Sequence, residues 1–265
     1  MEKPVAVLEI SSSCIKLLIG YELNGRPQIL YSITKPFGLI VDSGNFLDPI
    51  TIKETIASFA NIKDSSAKLN ISISEVVLIL PPYGLEVFQT QQVTTVVGED
   101  SKIGSIDIRN IYALIRKGKI PATNDLIDII PDNFIIDQGI SYQTPPLGES
   151  SNTLTIRAKV HTLPKHINEQ YTEAVKDSGI NVKRPVVAPF GAAELLATYP
   201  EIPSEYLLVD IGSHVTTVSL IAGKQLYASR FFAWGGHKIT SKIGETFNIS
   251  ETEAEKYKIM YGLDK

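Results

Sequence analysis

Residues 7–20 read VLEISSSCIKLLIG, and residues 208–221 read LVDIGSHVTTVSLI. Both run apolar, apolar, acid, Ile, three small or polar residues and then a β-type run, about two hundred residues apart. A pattern repeated within one chain marks a structural unit used twice. A tight turn between strands presents successive backbone N–H groups, a concavity that holds anions. Small residues let a phosphate come close to that backbone. Ser11, Ser12 and Ser13 in the first turn are therefore candidate phosphate ligands, as are Gly212, Ser213, His214 and Thr216 in and beside the second. Glu9 and Asp210 stand just before the turns, and two acids flanking phosphates suit Mg2+, which keeps several of its waters. Lys16 either reaches the phosphates or occupies the solvent face of its strand. Taken alone, either turn reads as a plain hairpin tip with a solvated acid. Taken together, they point to a nucleotide lying in a cleft between two halves.

A third group lies in WGGHKITSKIGETFNISETEAEKYKIMYG, residues 234–262. Glu255 and Lys258 are three apart on an expected helix and share a face. A carboxylate there can accept from ribose hydroxyls, and a lysine can meet a base or a phosphate. On pattern alone the two also read as a surface ion pair of small energetic weight. Gly235-Gly236 is either a close backbone approach to a ligand or the turn into the following helix. Trp234, the single tryptophan, reads as core.

The elements that must position these residues follow from periodicity. Residues 5–34 alternate and are β-rich, with Asn24-Gly25 as a hairpin signal, so the chain opens as a three-stranded meander. Ile50–Leu69 has helical spacing, and SEVVLILPP is a buried strand stopped by prolines. Residues 84–162 differ in texture: strands LEVFQTQQVTTVV, DLIDIIPDNFIID and TLTIRAKVHTL accompany one helix, IDIRNIYALIRKG. They read as a small α+β insertion. LPKHINEQYTEAVKDSGI follows as a helix with Pro164 at its start and Gly179 as its C-cap. NVKRPVVAP is a strand and FGAAELLATY a short helix. The second half opens with YLLVDI, VTTVSLIAG and QLYASRFF. It ends in helices at about His237–Thr246 and Ser250–Tyr261, the latter with Ser250 and Glu253 as a capping box.

Bulk properties narrow the class. The chain has 265 residues, enough for two compact units, and a net charge of −4 that offers no basic field to nucleic acid or anionic lipid. Its one cysteine, Cys14, excludes an internal disulfide framework and fits a reducing, cytoplasmic setting. No run approaches the roughly 20 apolar residues of a spanning helix, and MEKPVAVLEI is not a signal peptide.

With these stretches in view, the sequence resembles the actin-like ATPase superfamily, and within it the FtsA-type family of bacterial cell-division proteins. The paired LEISSSCIKLLIG and LLVDIGSHVTTVSLI motifs carry the resemblance. So do IIPDNFIIDQG with PPLG and TLTIRAKVHTL, YTEAVKDSGINVKRPVVAPFGAAELLA, and the stretch from Trp234 to Gly262. The resemblance implies an α/β, actin-like (ribonuclease H-like, duplicated) fold with an inserted SHS2-like α+β subdomain. Residues 1–83 and 163–203 would form the first actin-like domain, 84–162 the insertion, and 204–265 the start of the second domain. It implies ATP and Mg2+ as ligands, with Glu255 and Lys258 at the nucleoside. Its partners would be FtsZ, other division proteins and further copies of the chain. Its location would be the inner face of the cell membrane at the division site, reached through a C-terminal segment this chain does not contain.

The chain also departs from the family pattern. The first motif usually carries Asp and Gly where this chain has Glu9 and Ser11. The second usually runs Asp-x-Gly-Gly-Gly-Thr-Thr-Asp, where this chain has Asp210-Ile211-Gly212-Ser213-His214-Val215-Thr216-Thr217. Ala188 before Pro189 stands where hydrolysing relatives place a Glu or Gln that orients water. The chain ends soon after the Glu255 helix, without a second Gly-Gly element to seat adenine, and so reads as C-terminally truncated. These features imply weak ATP binding with slow or absent hydrolysis. A PilM-like pilus-assembly protein that binds a partner peptide is the alternative. A degenerate scaffold without nucleotide and a small-molecule kinase rank below it.

Overall fold

A computed structural model describes residues 4–24, 26–64, 69–118, 120–223 and 225–262. The chain falls into two compact units, one running up to Tyr83 and again from Glu169, the other Gly84–Asn168.

The first unit opens with β1 (Val5–Ile10), β2 (Cys14–Leu23) and β3 (Arg26–Pro36), the expected antiparallel meander. Asn24, at the β2–β3 connection, has φ +53°, as an Asn-Gly turn requires; Gly25 lies outside the described residues. Short β4 (Val41–Asp42) and β5 (Asn45–Phe46) precede α1 (Pro49–Ser58). The helix expected over 50–69 thus ends early. Residues 69–73, Leu-Asn-Ile-Ser-Ile, alternate apolar and polar with a period of two, which is strand spacing, and Ile62 stands between polar Asn61 and Lys63 in the same way. The two segments form β6 (Asn61–Asp64) and β7 (Leu69–Ser72), paired antiparallel. The N–H of Ile73 then donates to the carbonyl of Ala60 at 2.9 Å, closing the excursion. β8 (Glu75–Leu80) runs parallel to β1.

The second unit contains β9 (Glu86–Thr95), α2 (Ser105–Arg116), β10 (Asn124–Ile136), β11 (Ser141–Tyr142) and β12 (Thr153–Pro164). Its antiparallel sheet has the order β11-β10-β12-β9. One face of α2, through Ile111 and Ile115, packs with Phe134, Leu154 and Ile156 into a continuous core. Pro131 is tolerated inside β10 because the ladder shifts register there.

The chain continues into α3 (Lys165–Asp177), preceded by Pro164. Gly179 has φ +82°, and bonds from Gly179 to Lys176 and from Ile180 to Val175 close the helix as a Schellman motif. β13 (Asn181–Val187) joins β8 in parallel, giving a five-stranded sheet of order β13-β8-β1-β2-β3. α4 (Ala188–Leu196) leads to a second meander, β14 (Tyr206–Ile211), β15 (Thr216–Ala222) and β16 (Gln225–Phe232). The Gly-Lys turn before β16 places Gly223 at φ +58°; Lys224 lies outside the described residues. α5 (Gly236–Phe247) and α6 (Glu251–Tyr261) follow, and Ser250 with Glu253 makes the expected capping box.

The sequence repeat is a structural repeat to the residue. The β2–β3 ladder shifts register between Ile19 and Gly20, and the β15–β16 ladder shifts between Leu220 and Ile221, the matching positions. A Cβ on Gly20 would lie 2.6 Å from the carbonyl oxygen of Gln28, so the first copy needs glycine at its bulge.

Candidate functional site

Each tip is closed by the same bond. The N–H of Ser11 donates to the carbonyl of Cys14 at 2.9 Å, and the N–H of Gly212 to that of Val215 at 2.9 Å. The carbonyls of each tip are spent on a neighbouring segment. Ser12 accepts from Ile40 and Val41, and Ser13 from Phe37; Gly212 accepts from Gly236, and Ser213 from His237. A trans peptide points its C=O and N–H in opposite directions. The N–H groups of Ser13 and Cys14, and of Ser213 and His214, therefore face away from those segments.

The two tips border one cleft of about 410 Å³. Glu9, Ser11, Ser12, Ser13 and Lys16 line it on one side, and Asp210, Gly212, Ser213, Thr217 and Ser219 on the other. Its floor is apolar: Pro81, Pro82, Ala188, Pro189 and Ala192, with Tyr83 and Tyr171. The β1–β2 register sets Glu9 opposite Lys16, and the two make an ion pair at 3.3 Å. Ser11 donates to the same carboxylate at 2.6 Å. Burial opposes the charge on Lys16, but Glu9, with Asp210 contributing, outweighs it and holds the ammonium pKa above its ordinary value. In the second copy Asp210 faces Thr217 across the ladder and has no basic partner there. The two acids are thus unequal: one is already neutralised, and one is exposed.

A second opening, of about 1330 Å³, lies beyond the tips and is bordered by Phe37, Asp42, His214, His237, Glu255 and Lys256. His214 stacks on His237 with ring centroids 4.5 Å apart. Burial, then the neighbouring His237, lowers the His214 pKa, so it is neutral near pH 7. His237 Nδ1 lies 3.2 Å from Glu251.

Several expected ligands are engaged elsewhere. Thr216 donates its hydroxyl to the Trp234 carbonyl at 2.8 Å, and it is Thr217 and Ser219 that reach the cleft. Gly235 and Gly236 make their close approach to the Gly212–Ser213 backbone and not to an open site. Lys258 spends its three donors on Glu255 at 2.7 Å, Thr240 at 2.9 Å and the Gly236 carbonyl at 3.3 Å. It braces α6 against α5. Glu255 accepts from Thr240 at 2.5 Å through the same oxygen, yet still borders the second opening. Trp234 is 47% exposed and so is not core; it lies in the link between β16 and α5, outside both sheets.

A sequence model of the family described as Cell division protein FtsA matches residues 207–264. FtsA of Enterococcus faecalis is 27% identical over 96% of this chain and 57% of its own length. FtsA of Streptococcus pneumoniae is 27% identical over 96% of this chain and 55% of its own length. The chain is thus similar to FtsA proteins along nearly its whole length. It spans little more than half the length of these relatives. Among solved structures, the PilM-PilN type IV pilus biogenesis complex superposes with a TM-score of 0.62 at 20% identity, over 97% of this chain and 70% of that one. The ethanolamine utilization protein EutJ of Carboxydothermus hydrogenoformans superposes at 0.56 and 13% identity, over 98% of this chain and 63% of that one. The fold is actin-like.

The second opening holds residues that sequence reasoning missed. Glu251, Thr252, Lys256 and Ile259 border it together with the expected Glu255. Their spacing of one, three or four residues is one face of α6, and that period was visible in the sequence. Asp42 and His237 gave no signal, because they come from segments far apart in the sequence that meet only in the fold.

Proposed function

We propose that this chain is the nucleotide-binding part of an FtsA-type cell-division protein. It takes ATP with its phosphates between the Ser11–Ser13 and Gly212–His214 tips and its nucleoside toward the α6 face that carries Glu255. The observation that carries the reading is the duplicated tip geometry, with both copies bordering one cleft and turning N–H groups away from their own supporting segments. Such N–H groups, with Lys16 paired to Glu9 at the cleft, fit a phosphate chain. Asp210, exposed and without a basic partner across its ladder, is the acid suited to Mg2+ arriving with the nucleotide.

Residues 1–83 with 163–203 form one actin-like domain in this reading, 84–162 its insertion and 204–265 the start of the other. Nucleotide acts here as a ligand that biases closure and assembly. Hydrolysis is slow or absent, because α4 begins with Ala188 and Pro189 at the cleft and offers no side chain to orient water. The assembled protein links FtsZ and other division proteins to the inner face of the membrane. Among the described residues no helix is long and apolar enough to cross a membrane, so attachment in this reading is peripheral.

Cys14, the single cysteine, borders both openings and gives a direct test. ATP with Mg2+ should slow labelling of Cys14 by a maleimide in a saturable way, and Lys16→Ala should raise the concentration needed. Labelling that ATP leaves unchanged at millimolar concentration would overturn the proposal.

A further inference from the structure

Tyr171 is fully buried, yet its hydroxyl has no hydrogen-bond partner. It comes from α3, its ring packs on Phe46 with centroids 4.7 Å apart, and it borders the cleft between the two tips. Around it the floor is Pro81, Pro82, Ala188, Pro189 and Ala192, whose side chains accept no hydrogen bond. A buried polar group without a partner is costly to keep and calls for an explanation. An ordinary core position would be served as well by phenylalanine.

Burial, with Tyr83 and Glu9 adding, raises the Tyr171 pKa, so the group is a donor at any physiological pH. Tyr171 borders the same cleft as Ser11, Ser12, Ser13, Lys16, Gly212 and Ser213, where the proposed phosphates lie. The nucleoside end lies at the other opening, whose border does not include Tyr171.

We infer that the Tyr171 hydroxyl donates to a terminal phosphoryl oxygen of a bound nucleoside triphosphate, so that the cleft reads the third phosphate and discriminates against the diphosphate. This inference rests on the proposed nucleotide site. It adds a floor contact from α3 to the contacts from the two tips, one that needs no catalysis to be useful. Hydrolysis or exchange would be sensed as loss of one hydrogen bond to a charged oxygen.

The test compares ATP and ADP affinities, each with Mg2+, by calorimetry on the whole chain and on Tyr171→Phe. A hydrogen bond to a charged group is worth roughly tenfold in affinity. The expected result is about tenfold weaker ATP binding with ADP unchanged, and an unliganded melting temperature no lower than that of the parent. Tyr171→Met, which fills the space flexibly and also lacks the hydroxyl, should show the same collapse of the ATP-to-ADP ratio. Equal loss for both nucleotides, or no loss for either, would overturn the inference while leaving the nucleotide site standing. A drop in the unliganded melting temperature of Tyr171→Phe with an unchanged ratio would assign the hydroxyl to a resident water and also overturn it. A parent chain that binds neither nucleotide would remove the proposed site, and this inference with it.

Discussion

A Cβ on Gly235 would lie 2.5 Å from the carbonyl oxygen of Ser213 and equally close to that of Gly212. Both are backbone atoms, so neither can swing aside. The φ of Gly235 is −166°, an extended conformation open to any residue, and the requirement for glycine is therefore purely one of space. Gly235→Ala is expected to cost about 1–3 kcal/mol, the usual range for overpacking. Gly38 has nothing within 4 Å of its Cβ position, and Gly38→Ala is the control that should be near neutral. Urea unfolding of the two variants checks this. Equal stability would mean that the tip does not rest on the α5 N-terminus in solution.

Lys258 illustrates how a ligand-like residue becomes a brace. Its partners Thr240 and Gly236 lie on α5, and Thr240 is itself buried. Lys258→Met should therefore destabilise the unliganded protein by about 1–2 kcal/mol, through the loss of charge-assisted hydrogen bonds. A nucleotide contact would instead leave the unliganded protein untouched and weaken only binding, so thermal melts without nucleotide separate the two. Burial opposes ionisation of Glu255, but its bonds to Lys258 and Thr240 prevail and hold its pKa below the usual carboxylate range. A depressed carboxylate stabilises the fold above its unfolded pKa and loses that contribution as pH falls through the folded value. The Lys258→Met penalty should therefore shrink below about pH 4.5.

In the proposed nucleotide site, the ion pair between Lys16 and Glu9 should set the cation requirement. With Lys16 in place, one of the two acids is already neutralised. Lys16→Ala should weaken nucleotide binding in low Mg2+ and restore part of it in high Mg2+, because Glu9 is then free to join Asp210. Nucleotide titrations at 0 and about 10 mM Mg2+ check this against the metal affinities expected of two carboxylates. An identical loss at both Mg2+ concentrations would exclude the exchange of one cation for the other.

Local periodicity made the two meanders legible, and repetition gave them weight. Glu9 falls opposite Lys16 because the tip is two residues, Ser12-Ser13, where the sequence reads as a turn of three, so that contact was not legible in VLEISSSCIK. The tip glycines were harder. Gly235-Gly236 has the composition of a ligand-binding turn, and only the fold shows that its neighbour is another turn. Thr216 and Thr217 differ by one residue, and in a strand that difference decides which faces the cleft. The strand Asn61–Asp64 and the start of the next at Leu69 were lost to an apparent continuation of helical spacing past Ser58. Tyr171 could not have been found: an aromatic at an apolar helix position reads as core, and no pattern reveals whether its hydroxyl is satisfied.

His161, in β12, is the clearest pH-sensitive group of the second unit. It is 1% exposed, and burial pushes its pKa down to about 4, with Asp128 opposing and Lys159 assisting. A histidine buried neutral binds its proton more readily when unfolded, near the ordinary value of 6.5. Between pH 6.5 and about 4 the unfolded state therefore takes up the proton first, and stability falls as pH falls. At 1.36 kcal/mol per pH unit the full window is worth about 3 kcal/mol. Above pH 6.5 and below about 4 this group adds no slope. Urea midpoints of the whole chain across pH 4–7 should show a slope approaching one proton for the transition that unfolds the second unit. In His161→Gln that slope should flatten. A parent profile already flat between pH 5 and 6.5 would show that the imidazole reaches water, and that the β12 core around it opens in the native state.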